Sequence, residues 1–114
     1  MTRDFVIGSV LLIAQAAPAF AEKATLACSQ GDGYLTIYYT FDMKARTVSR
    51  DPHWEPNTSV SSLQISDDEL NWIQRSNSGS VTHRYNRHSG RLLFCDSSAV
   101  CSTLSCVKAR PGPL

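Results

Sequence analysis

Tyr34 to Phe41 (YLTIYYTF) holds only β-branched and aromatic residues and one leucine, the composition of a strand. Leu35, Ile37, Tyr39 and Phe41 share one side of such a strand, and this side is the expected core face. Tyr34, Thr36, Tyr38 and Thr40 share the other. Turn chemistry brackets the segment, with Gln30-Gly31-Asp32-Gly33 before it and Asp42 to Arg46 after it. The same rhythm continues along the chain. Short alternating segments stand roughly ten residues apart, a pattern that belongs to all-β folds rather than helical ones.

Ala24 to Cys28 reads as a short opening strand, and Thr47-Val48-Ser49 resumes after the turn at Asp42. Asp51 to Ser59 contains Pro52 and Pro56 and is expected to be a loop, with Trp54 inside it. Ser61, Leu63 and Ile65 alternate on one face. Leu70 to Arg75 and Val81 to Asn86 form two further strands, joined by a loop of four residues, Asn77 to Ser80. In that register Ser76 faces Val81 and Trp72 faces Tyr85. Arg87-His88-Ser89-Gly90 turns into Arg91 to Cys95. Ser102 to Val107 is read as a last strand, although Val100, Leu104 and Val107 also stand at helical spacing. The expected fold is a small antiparallel β-meander or barrel of seven to eight strands.

The region ahead of these strands has a different character. Phe5 to Ala17 is an apolar run of 13 residues, shorter than the roughly 20 that a membrane-spanning helix requires. Arg3 precedes it, and Ala19-Phe20-Ala21 places small residues where a signal peptidase inspects the chain. A signal peptide over 1–21 is expected, with Ala14-Gln15-Ala16 as an alternative cleavage site. This divides the chain into 1–21, one β domain over 22–110, and a Pro-Gly-Pro tail over 111–114. The expected product is a periplasmic or secreted monomer with no membrane attachment after cleavage.

Export gives the four cysteines their meaning, since thiols in an oxidising compartment pair. Four cysteines allow three connectivities, and the sequence alone does not choose among them. If the meander closes, its first and last strands meet, which brings Cys28 to Cys106 and leaves Cys95 to bridge Cys101 across a short turn.

Chemistry-bearing motifs are scarce. The formal net charge is +1, from 11 basic and 10 acidic residues, which argues against a nucleic-acid binder. There is no Gly-x-Ser-x-Gly and no His-Glu-x-x-His. The spacing of Cys95, Cys101 and Cys106 is not that of a zinc site. No catalytic residue, metal ligand or cofactor is therefore assigned. His83 alternates with Val81 and Tyr85 and reads as a structural histidine with a hydrogen-bond partner. From Leu70 to Cys95 there is no Asp or Glu, while Arg75, Arg84, Arg87 and Arg91 all fall there. Arg75, Arg84 and Arg87 are candidates for an anionic envelope ligand or an envelope protein, with Arg75 and Arg84 on the face opposite Trp72 and Tyr85. Tyr34, Tyr38 and Trp54 are candidate aromatic contacts. Trp54 has an alternative role as a plug over one end of the barrel.

Several pieces carry a resemblance: Thr25-Leu26-Ala27-Cys28, Tyr39-Thr40-Phe41-Asp42 followed by Thr47-Val48, Ser66 to Trp72 (SDDELNW), and the hairpin Tyr85 to Leu92 (YNRHSGRL). Together they look like small exported proteins of alphaproteobacteria such as rhizobia. That resemblance implies an export route and a β fold, and no reaction. A second likeness is to periplasmic lysozyme inhibitors of small β-barrel form. It rests on an early Cys28 near a Gly-containing turn, on Ser78-Gly79, and on a late Cys106. It implies an inhibitory role for Ser78-Gly79. A small periplasmic enzyme is the third alternative, for which no residue argues specifically.

Overall fold

A computed structural model describes residues 23–32 and 34–110. The signal peptide expected over 1–21, Gly33 of the first turn and the tail over 111–114 lie outside the described residues. The described chain is all β, without a helix: β1 (Lys23–Ser29), β2 (Ile37–Asp42), β3 (Thr47–Asp51), β4 (Ser59–Val60), β5 (Gln64–Ile65), β6 (Glu69–Ser76), β7 (Gly79–Asn86), β8 (Arg91–Asp96) and β9 (Cys101–Arg110). The segment read as strand or helix is thus a strand of ten residues.

All pairings are antiparallel, and the sheet runs β3-β2-β1-β9-β8-β7-β6-β4. Both β4 and β5 pair with β6, on either side of an irregular step at 61–63, so they act as one interrupted strand. Eight strands therefore curl into a nearly closed barrel. The first and last long strands are neighbours, and Cys28 lies opposite Cys106. The remaining gap lies between β3 and the β4–β5 strand. One backbone bond crosses it, from Leu63 N to the Arg46 carbonyl at 2.9 Å.

Alternation decides what fills the barrel. Leu26, Cys28, Tyr39, Phe41, Val48, Leu63, Leu70, Trp72, Tyr85, Leu92 and Leu104 form one buried cluster. All but Leu63 come from strands, and within each strand they fall on positions of one parity. Two disulfides staple the domain, Cys28–Cys106 and Cys95–Cys101. The first faces the core, with Cys28 fully buried; the second lies on the outer face, where Cys101 is exposed. Two disulfides in so small a domain are consistent with an oxidising compartment.

The structure corrects two local expectations. The strand expected from Tyr34 begins only at Ile37, and Leu35, assigned to the core face, is 69% exposed. The reason is the length of its partner. β1 ends at Ser29, and the pair Cys28–Ile37 is the last rung, so Tyr34 to Thr36 have no strand to join. The β6–β7 loop is also shorter than expected. Ser76 pairs with Gly79 across a two-residue turn, Asn77-Ser78, and the positive φ that the reversal needs falls on Gly79 (φ 123°). Trp72 therefore faces His83, and Tyr85 faces Leu70. The slip is two residues, an even number, so every side chain stays on its expected face.

Candidate functional site

The β6–β7 hairpin presents two different surfaces. Its inner surface is an aromatic stack. His83 lies flat on Trp72, with centroids 4.7 Å apart and planes 6° from parallel, and Phe94 stacks beyond it at 6.1 Å. Tyr39 and Trp54 approach the same imidazole edge-on, each at 6.2 Å. His83 is almost fully buried, its Nδ1 has no hydrogen-bond partner, and four aromatic rings pack around it. Burial lowers its pKa from 6.5 to about 4; the Val81 backbone opposes this, and the Arg50 charge adds to it. The imidazole is thus neutral at pH 7. The same burial raises Tyr39, partly offset by Arg50, and raises Tyr85, partly offset by Arg87.

Trp54 folds back onto the barrel. It is half-buried, packs on Tyr39 at 6.2 Å, and lies under the Arg50 guanidinium, whose carbon is 4.5 Å from its ring centre. Arg50 also donates to the Pro52 carbonyl (2.9 Å) and the His53 carbonyl (3.4 Å). This clamp on the 52–58 loop is absent from the sequence reading. Arg50 falls on the core side of β3, opposite Tyr39, and that parity was the available signal.

The outer surface of the hairpin holds a groove of about 490 Å³. Asn71, Ile73 and Arg75 from β6 and Thr82 and Arg84 from β7 line its base, and Ser61, Ser62 and Gln64 form its wall. The step at 61–63 builds that wall. Ser61 N donates to the Ile73 carbonyl (2.8 Å), its Oγ accepts from Ile73 N (2.9 Å), and Leu63 turns into the core. Ser62 is left exposed at the rim.

The candidate arginines differ in their surroundings. Arg75 and Arg84 are both exposed on this outer face. Arg75 makes no side-chain hydrogen bond or ion pair among the described residues. Arg84 is paired with Glu69, with 2.8 Å between Nη2 and Oε2. Arg87 donates from Nη1 to the Ser66 carbonyl at 2.7 Å and belongs to the turn rather than to the groove. The acid-free stretch from Leu70 to Cys95 is therefore not an acid-free surface. Strand pairing lays Glu69 across from Asn86 beside Arg84, and the preceding turn sets Asp68 2.9 Å from His88. Tyr38 is 43% exposed on the outer face of β2, and Tyr34 is exposed in the loop before it, both on the far flank from this groove.

Among the described residues, no group of three His, Cys, Asp or Glu side chains is placed to hold a metal ion. Comparisons with protein-family models, with curated proteins and with solved structures return no match.

Proposed function

We propose that this chain is an exported, non-catalytic binding domain of the cell envelope, acting in the periplasm or outside the cell on an anionic partner. The observation that supports this most is the outer groove over β6–β7, where the Arg75 guanidinium stands without a carboxylate beside an apolar base at Ile73. An exposed guanidinium in a concave site is a ready donor to carboxylate or phosphate oxygens. Carboxymethyl-dextran against neutral dextran tests the reading. The charged polymer is expected to bind, to weaken as salt rises, and to release when Arg75→Glu is combined with Arg84→Glu. Equal binding of both polymers would move the site to Tyr34 and Tyr38.

A second reading is inhibition of a lysozyme-type enzyme. It is supported by Ser78-Gly79, which stands exposed at the tip of the β6–β7 hairpin. Residual lysozyme activity in the presence of the domain, with Ser78→Trp as control, decides between the two.

A further inference from the structure

A second groove, of about 300 Å³, lies on the same outer face one strand further on. Arg91 and Leu93 of β8, Thr103 of β9 and the Glu69 carboxylate line it, and it shares Arg84 with the first groove. The register gives the geometry. Arg75 pairs with Ser80, four residues from Arg84, and Arg84 pairs with Leu93, two residues from Arg91. At about 3.4 Å per residue and 4.8 Å between strands, Arg84 stands roughly 14 Å from Arg75 and about 8 Å from Arg91. The three arginines thus form a diagonal track across β6, β7 and β8. Arg91, like Arg75, is exposed and makes no side-chain ion pair among the described residues. Glu69 holds the middle arginine in place and offsets its charge, so the two ends carry the attraction.

We infer that the two grooves together seat one extended chain of an acidic carbohydrate, a polyuronate, with carboxylates at Arg75 and Arg91. This rests on the anionic-partner reading above and adds both the ligand class and the second groove. Three observations favour a glycan over other polyanions. Uncharged hydroxyl and amide side chains line the track (Asn71 and Thr82) and flank it on either side (Ser62, Gln64, Thr103), and these suit sugar hydroxyls. Ile73 and Leu93 offer apolar patches for sugar ring faces. Single-stranded nucleic acid uses aromatic platforms for its bases, and the exposed tyrosines, Tyr34 and Tyr38, lie on the other flank.

Titration of the exported protein with galacturonate, its oligomers and polyphosphate tests this. Long uronate oligomers are expected to bind at least about tenfold more tightly than the monomer, because a second contact on one chain acts at high effective concentration. Arg91→Gln is expected to remove most of that gain while leaving carboxymethyl-dextran retained through Arg75. A circular-dichroism melt of Arg91→Gln, expected to match the parent, separates lost contact from lost fold. Oligomer binding that ignores Arg91, or tighter binding of polyphosphate, overturns the polyuronate track and leaves the anionic-partner reading standing. Failure of both carboxylated polymers to bind overturns both.

Discussion

The barrel is held shut in two unlike ways. On one flank β1 and β9 meet along a ladder from Thr25 to Ser29, and a buried disulfide links them. On the other flank β3 approaches the β4–β5 strand with one backbone bond, Leu63 N to the Arg46 carbonyl. There side chains do the closing. Leu63 fills the core beneath the seam, and the 52–58 loop crosses its end with Trp54 packed on Tyr39 and His83. The contrast separates closure by backbone and covalent bond from closure by packing. Packing leaves edge groups of β3 open to water, along a groove of about 350 Å³ lined by Arg46, Val48, Val60 and Ser61.

The largest effect is expected on the first flank. Replacing both Cys28 and Cys106 by Ala, so that no thiol is freed, removes a bridge spanning 78 residues. On the chain-entropy model this costs about 4.5 kcal/mol. Urea unfolding measures it, and a loss below about 1 kcal/mol would mean that the ladder alone closes the barrel.

The seam has two tests of middling size. Leu63→Ala is expected to cost about 3 kcal/mol, since Leu63 is fully buried where collapse of the cavity is limited by the sheet edges. His83 supplies the other. Its folded pKa of about 4 lies below the unfolded value of 6.5, so the unfolded chain takes up the proton first as pH falls. Its contribution is fully present above pH 6.5 and drains away between 6.5 and 4, by about 3 kcal/mol. Stability of the parent against His83→Phe across that range isolates it, and parallel pH curves for the two would refute the assignment.

Smaller still is the outer bridge. The Cys95–Cys101 loop spans six residues, and losing it through a double Ala change is expected to cost about 2.3 kcal/mol. The gentlest comparison is amide exchange. Exchange is expected to be faster in β3 and β4 than in β1 and β9, because local opening there breaks fewer bonds. Uniform protection would show that packing closes the seam as firmly as pairing closes the other side.

Much of this was legible in the chain because strand faces follow a period of two. Trp72, Tyr85 and Leu92 lie inside, and Arg75 and Arg84 outside, in any register that differs by an even number of residues. Even a two-residue error in the β6–β7 turn leaves those faces intact. The failures lie where a residue's fate depends on the length of its neighbour. Leu35 has the composition of a core position, yet β1 is too short to pair with it. Reading acids along the chain missed Glu69 for a similar reason, because the hairpin folds it back beside Arg84.

The sequence by itself therefore determined the all-β class, the alternation that sorts core from surface, and the turn at Arg87 to Gly90, where Gly90 takes a φ of 75°. These are local properties, set by side-chain chemistry and backbone preference within a few residues. Only the tertiary structure decided which arginines remain unpaired, how the step at 61–63 raises a wall over Ile73, and how Arg50 clamps Trp54 against a neutral histidine. Each depends on groups brought together from distant positions. Their energies arise from desolvation and charge proximity, which strand register creates and local sequence does not encode.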